Sequence, residues 1–121
     1  MEKSPTLLED SLLVIWNDRD ASSRLTAMAA VYATEIEFFE SNEGTAIIGY
    51  HAINDLIGKL QSQWPTEFRF ELTRPAQVNH QIQHISWRLG IAGEAPVATG
   101  MDIAVIVDNR IQSLHLFLDS M

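Results

Sequence analysis

The sequence predicts an α+β domain of three helices and six strands, in the order α-α-β-β-α-β-β-β-β. Two observations predict it. Apolar residues recur every three or four positions before residue 33 and again over 52–60, which is the helical period. Over 35–40, and in most segments after Pro65, apolar and polar residues alternate instead, which is the period of a half-buried strand.

The three helices have recognisable ends. Thr6 and Glu9 fit a capping box that starts the first helix, and Asp20 can cap the second. The expected inner stripe of the first helix is Leu8, Leu12, Ile15 and Trp16. The expected inner stripe of the second helix is Leu25, Met28, Ala29 and Tyr32. A third helix covers 52–60 and must end before Pro65.

The strands follow from alternation. In the first strand Ile36, Phe38 and Glu40 share the apolar face, and a short return strand follows at 45–48. After Pro65 the chain predicts a β-meander. The inner row of one of its strands is Ile85, Trp87 and Leu89. The last two strands, 97–107 and 111–118, are joined at Asp108 and Asn109, which tolerate the positive φ of a two-residue turn.

The register of this last hairpin predicts two different faces. With Asp108 and Asn109 as the loop, Asp102 lies opposite His115; with the loop one residue later, Asp102 lies diagonal to it. In both registers one face carries Asp102, Ala104, Ile106, Ser113, His115 and Phe117. The other face is aliphatic: Met101, Ile103, Val105, Val107, Leu114, Leu116 and Leu118.

These faces leave two arrangements open. The mixed face lines an internal cavity while the aliphatic face meets a second subunit, or the aliphatic face meets the helices while the mixed face is solvated. Ala104, Ile106 and Phe117 favour the first arrangement, because they are too apolar for a solvated face. We therefore expect a homodimer that associates through the C-terminal sheet.

A pocket with three polar groups follows from the cavity arrangement. Asp102 and His115 are a candidate catalytic pair, since a His oriented by a carboxylate is a recurrent acid–base device, and Glu40 is a candidate second base. The candidate substrate-binding walls are Trp16, Tyr32, Phe38, Trp87 and Phe117. Each residue also fits a purely structural role: the pair as a buried hydrogen-bonded pair, Glu40 as a solvated turn residue, and the aromatics as core.

Composition and missing motifs exclude several classes. The net charge is −8 and the eight Lys and Arg are scattered, which argues against nucleic acid. No run approaches the ~18 apolar residues of a membrane span. We expect no metal and no cofactor, because the chain lacks Cys, three convergent ligands and the nucleotide, serine-hydrolase and zincin motifs. The absence of Cys, and of a signal peptide in the first residues, favours the cytoplasm.

Four segments resemble the SnoaL-like branch of the nuclear transport factor 2-like superfamily: 32–40, 49–53, 99–102 and 108–111. The resemblance covers nearly the whole chain and implies a single domain over residues 1–121. It also implies a cone-shaped curved antiparallel sheet capped by three helices, commonly dimeric. Members of this superfamily include polyketide cyclases, ketosteroid isomerases, dehydratases and plain binding modules.

The resemblance also suggests roles for individual residues. Glu40 falls where ketosteroid isomerases place a proton-shuttling Asp, and Asp102 where they place a protonated Asp that hydrogen-bonds the oxyanion. Leu12 falls where those enzymes have a Tyr and cannot donate a hydrogen bond. Asp102 with His115 is similar in kind to the Asp and His of SnoaL-type cyclases.

We therefore expect a small-molecule pocket protein. Its activity would be cofactor-free acid–base chemistry of the isomerase, cyclase or dehydratase type, on an apolar ring or a polyketide-like compound. The alternative is a non-catalytic dimeric module that binds a ligand or acts as a scaffold. A third interpretation is a subunit that binds a partner through its exposed sheet.

Overall fold

The computed structural model describes residues 5–119. The helices are α1 (Leu7–Asp10), α2 (Ala21–Val31) and α3 (Tyr50–Gln61), and a π-helical segment, Ser11–Trp16, continues directly from α1. The strands are β1 (Tyr32–Phe39), β2 (Ile47–Ile48), β3 (Phe68–Leu72), β4 (Gln77–Asn79), β5 (Ile82–Ile91), β6 (Ala98–Val107) and β7 (Arg110–Leu118). The first four residues, on which the signal-peptide prediction rests, lie outside the described range. No helix within it is long and apolar enough to cross a membrane.

All seven strands belong to one sheet of order β2-β1-β7-β6-β5-β3, and β4 pairs with β5 beyond this path. The predicted α+β class of three helices on a β-meander is confirmed. Two features differ from the prediction. β1 runs parallel to β7, so the sheet is mixed, and the short strand β4 adds a seventh strand.

The helices start as predicted. The backbone N–H of Glu9 donates to Thr6 Oγ1 over 3.1 Å and that of Thr6 to Glu9 Oε1 over 2.7 Å, which completes the capping box. Asp20 accepts from the backbone N–H of Ser23 over 3.2 Å. The predicted inner stripe of α2 is wrong at Ala29, which is exposed.

Arg24 faces inward on α2 in a way that the apolar pattern does not predict, and it is only 2% exposed. Its guanidinium donates to Asn54 and Gln61 of α3 and to the backbone oxygen of Asp18. These hydrogen bonds tie α2 to α3 through a buried polar cluster.

One side of the sheet, which we call the inner face, packs against the helices. It carries Ile85 and Trp87 of β5, Ala104 of β6 and Leu114 of β7, all buried in one core cluster. Ile85 and Trp87 confirm the inner row predicted for this strand, and Leu89 completes it.

The final turn forms as predicted, with φ of 50° at Asp108 and 59° at Asn109. The register of the strands beyond this turn differs from the predicted one. Ile106 pairs with Ile111 but Val105 pairs with Ser113, so Gln112 is an extra residue in β7 without a partner in β6. Such a β-bulge reverses the alternation of every side chain beyond it.

The bulge separates the predicted pair. Asp102 pairs with Leu116, and His115 pairs with Ile103, so Asp102 and His115 lie on opposite faces of the sheet. The prediction that they share a face is therefore wrong in both registers considered, because neither allowed for an extra residue. Leu114 and Leu116 correspondingly lie on the inner face rather than on an aliphatic outer one.

Candidate functional site

A cavity of about 840 Å³ lies between the inner face and the helices. Its volume is in the range of small-molecule sites. The lining residues are Leu12, Trp16, Phe38, Glu40, Ser41, Asn42, Leu60, Trp64, Phe70, Trp87, Leu89, Val97, Ala98, Asp102, Leu114, Leu116, Phe117 and Leu118. Most are apolar, and among these residues there is no Lys, Arg or His.

Asp102 is the buried carboxyl group of this cavity. It faces inward from the middle of β6 and is 8% exposed. The indole Nε1 of Trp87 donates a hydrogen bond of 3.1 Å to its Oδ1. Burial raises the pKa of Asp102 to about 7, and the hydrogen bond from Trp87 opposes that rise. Both the acid and the carboxylate are therefore populated near neutral pH.

The position of Trp87 depends on a glycine in the neighbouring strand. Trp87 pairs with Gly100 across β5 and β6. A Cβ atom at Gly100 would lie 2.6 Å from Cζ2 of Trp87 and 2.8 Å from the carbonyl oxygen of Phe117. The indole therefore packs directly against the backbone of β6, which directs its N–H to Asp102 two residues along.

Aromatic rings form a continuous arc along the cavity. The centroid of Trp16 is 5.6 Å from that of Phe38 and 6.2 Å from that of Phe70. Phe70 lies 5.9 Å from Trp64 and 5.2 Å from Trp87. All four pairs meet edge to face, a favoured geometry for aromatic rings.

Trp16, Phe38 and Trp87 of this arc are among the walls predicted from the sequence, whereas Trp64 and Phe70 are not. The alternation of β3 contained a signal for Phe70, which is buried. Trp64 lies after the end of α3, where no periodicity applies, so no local pattern could have placed it on the cavity.

Tyr32 lies behind the wall of the cavity and is not one of its lining residues, contrary to the prediction. It is fully buried as the first residue of β1. A hydrogen bond of 2.6 Å joins its hydroxyl to Ser11 Oγ, and Trp16 Nε1 donates to it over 3.2 Å. Burial raises the pKa of Tyr32 to about 12, so the phenol keeps its proton. Its role is to hold the π-helical segment and Trp16 in place.

The remaining predicted site residues are divided between the cavity edge and the outer face. Glu40 follows the last residue of β1, is exposed, and borders the cavity. Phe117 also borders it, but it pairs with Met101 and is 51% exposed, so it is not the buried wall that we expected. His115 is not a lining residue; its ring stacks on that of Phe39 with centroids 4.7 Å apart.

Within residues 5–119, no three His, Asp or Glu side chains are grouped as metal ligands. The groups that can do chemistry in the cavity are therefore the carboxyl of Asp102, the indole N–H of Trp87, and Glu40, Ser41 and Asn42 at its edge. This arrangement can hold an apolar molecule and exchange a proton with it.

No family model matches the sequence, and no curated protein matches it significantly. Solved structures do match this chain in fold. A candidate isomerase of the SnoaL-like family from Agrobacterium tumefaciens superposes with a TM-score of 0.78 at 24% identity, over 89% of this chain and 91% of that one. A candidate SnoaL-like polyketide cyclase from Jannaschia gives 0.73 at 12% identity, over 98% and 91%.

A third structure has the ketosteroid isomerase-like fold and comes from Catenulispora acidiphila, solved in complex with trimethylamine. It gives a TM-score of 0.73 at 13% identity, over 95% of this chain and 86% of that one. Superpositions at identities this low establish the architecture but not the activity, which has to be argued from the residues of the site. The chain therefore has the fold of the SnoaL-like proteins of the nuclear transport factor 2-like superfamily.

Proposed function

We propose that the cavity binds a small apolar molecule and that Asp102 exchanges a proton with it, as in a cofactor-free isomerase, cyclase or dehydratase. The observation that carries this proposal is a buried carboxyl group, with a pKa raised to about 7, among the aromatic walls of a cavity of about 840 Å³. An acid–base catalyst is most effective when its pKa lies near the working pH.

The chemistry needs only Asp102 and a ligand with an acidic C–H beside a carbonyl. The carboxylate takes the proton from carbon, and the electron pair of that C–H bond moves into the enolate. Return of the proton to the same carbon regenerates the carboxylate and gives exchange with solvent. In a β,γ-unsaturated ketone the electron pair is delocalised over a dienolate, so the acid returns the proton to the γ-carbon, the double bond moves into conjugation and the carboxylate is regenerated. Trp87 donates to Oδ1 throughout, which orients the carboxyl and leaves Oδ2 for the ligand. Glu40 is proposed as a second base at the cavity edge.

The test is proton exchange on an apolar ring ketone. We expect the protein to accelerate deuterium incorporation at the α-carbon of 2-tetralone in D₂O, followed by NMR. Asp102→Asn should slow this exchange by a factor of about 10² to 10⁴, the range of general acid–base catalysis. His115→Gln is the matched control and should leave the rate within about twofold, because His115 lies on the other face.

The outcomes separate the hypotheses. Exchange that is equally fast in Asp102→Asn and in the unsubstituted chain would refute the catalytic assignment. Binding of ring compounds without any exchange would favour the alternative, a non-catalytic ligand-binding module of the same fold. Glu40→Gln should reduce the rate less than Asp102→Asn, because Glu40 is exposed and only borders the cavity.

We further propose that a second copy of this chain covers the outer face of the C-terminal sheet. A row of paired residues with no formal charge crosses its centre: His84, Ile103, His115 and Phe39. Met101 beside this row is 37% exposed and Phe117 is 51% exposed. The charged residues Glu37 and Arg88 of this face lie on either side of the row, so an uncharged centre has a polar rim, as in a subunit interface.

Ile103→Lys tests this proposal, since a charge at the centre of the row should convert a dimer to a monomer in sedimentation velocity. Gln63→Lys, an exposed residue beyond α3, adds the same charge elsewhere and should leave the mass unchanged. A wild-type chain that is monomeric at all concentrations would contradict the proposal.

A further inference from the structure

The ionisable groups that line the cavity are all acidic. Its lining includes two carboxyl groups, Asp102 and Glu40, and none of its residues is basic. An anionic ligand such as a carboxylate or phosphate would have no cation to pair with, and it would be repelled whenever Asp102 is ionised. The cavity therefore suits a neutral or a positively charged ligand.

Of these two kinds of ligand, the surroundings of Asp102 favour the positively charged one. The hydrogen-bond donor to Asp102 among the described residues is the neutral indole of Trp87. A buried carboxylate without a cation is unfavourable, and such groups are normally paired or bound to a metal. No Lys, Arg or His of the lining fills that role.

The aromatic arc leads to the same carboxyl group. Phe38, Trp16, Phe70 and Trp87 follow one another at centroid distances of 5.2 to 6.2 Å, and Trp87 is hydrogen-bonded to Asp102. Trp64 joins the arc through Phe70. The faces of aromatic rings attract cations, and cages of such rings are the usual receptors of alkylammonium groups.

We infer that the natural ligand carries a positively charged nitrogen, as a protonated or quaternary amine, on an apolar body. The nitrogen lies beside Asp102 and the body packs against the aromatic arc. This inference rests on the proposed function only in that it names the ligand of the same cavity.

The inference has a definite pH dependence. An ammonium group stabilises the ionised form of Asp102, so its affinity should rise with pH through about 7, where the carboxyl of the free protein loses its proton. The other titratable groups toward this site are Glu40 at the edge and Tyr32 behind the wall. Tyr32 keeps its proton, because its pKa is raised to about 12.

The experiment compares two ligands of nearly the same shape, benzyltrimethylammonium and its uncharged analogue neopentylbenzene, with 3-phenylpropionate as an anion. Binding to the full chain is followed by tryptophan fluorescence. At pH 8.5 we expect the cation to bind at least tenfold more tightly than neopentylbenzene, and the anion not to bind. Between pH 8.5 and 6 the affinity for the cation should fall by about tenfold, in proportion to the ionised fraction of Asp102, while the affinity for neopentylbenzene stays constant.

Asp102→Asn should remove the preference for the cation and its pH dependence. Unchanged binding of neopentylbenzene shows that this variant keeps the cavity, and Glu40→Gln should keep the pH dependence. Equal or tighter binding of neopentylbenzene at pH 8.5, or no binding of the cation at millimolar concentration, would overturn the inference. Either result leaves the exchange of 2-tetralone as a separate test of the proposed function, and a failure of that exchange leaves the charge preference measurable.

Discussion

The two faces of the C-terminal hairpin differ sharply in what they offer a ligand. The inner face presents Asp102, buried between aromatic walls, with one indole N–H as its partner. The outer face presents His115, stacked on Phe39 and away from the cavity. The two residues are separated by the thickness of one sheet because β7 contains one extra residue, Gln112. A single bulge thus decided which ionisable group belongs to the site.

The largest expected effect comes from removing the bulge. Insertion of one alanine between Val105 and Ile106 gives Gln112 a partner in β6 and so removes the bulge. One part of the hairpin must then turn over, so either Ile111 or Leu114, both fully buried, leaves the core. Losing one such side chain costs about 2–5 kcal/mol, and we expect the free energy of unfolding to fall by at least that amount in urea titrations. Gln112→Ala keeps the bulge and should cost less than about 1 kcal/mol. An insertion variant as stable as Gln112→Ala would show that the register is not held by the core.

The next largest effect is on the pH dependence of stability, and it tests whether Asp102 is buried. Its folded pKa, about 7, is higher than the ordinary value of 3.8, so the folded protein binds this proton more tightly than the unfolded chain. Stability from this group is therefore fully present below pH 4 and is lost as pH rises to about 7.

Asp102→Asn removes the loss of stability that ionisation of Asp102 causes as pH rises. The difference in free energy of unfolding between the variant and the wild type should shift in the variant's favour by up to roughly 4 kcal/mol between pH 4 and pH 8. Ser113→Ala, on the outer face, changes no titratable group and should show no comparable rise. A flat difference for Asp102→Asn across this range would mean that the carboxyl is solvated.

Gly100→Ala should have a smaller effect, because it overpacks the inner face without removing a side chain from the core. The new methyl group collides with the indole of Trp87 and with a backbone oxygen, and overpacking of this kind costs about 1–3 kcal/mol. We expect a lower melting temperature together with an altered tryptophan emission. Met101→Ala, the next residue but on the outer face, should leave the emission unchanged.

The smallest expected effect is a shift in a pH profile. Trp87→Phe removes the hydrogen bond that lowers the pKa of Asp102, so the midpoint of the pH–rate curve for proton exchange should rise by up to about one unit. A fall in the midpoint would show that another group sets the profile. Trp64→Phe, which changes a ring of the arc without touching Asp102, is the control.

Much of the fold could be predicted because its signals are local. The capping box at Thr6 and Glu9, the cap at Asp20 and the inner row of β5 depend on residues close together in the chain. The π-helical segment is an exception. It was predicted as ordinary helix, and it takes its shape where Ser11 and Trp16 reach Tyr32.

The site was predictable only in part. Alternation placed Trp87 and Phe38 on an apolar face, and the cavity confirms that both face inward. Trp64 and Phe70 were missed because they reach the same wall from different elements, and their meeting depends on how α3 and β3 pack.

The sequence alone determined the class of the fold, the positions of most elements and the tight turn at Asp108 and Asn109, because these depend on neighbours within a few residues. The face of each residue in β7 was decided only by the tertiary structure. That strand pairs antiparallel with β6 and parallel with β1, and its register shifts against both. Since β1 is distant along the chain, no count along the hairpin could reveal the extra residue that separates Asp102 from His115.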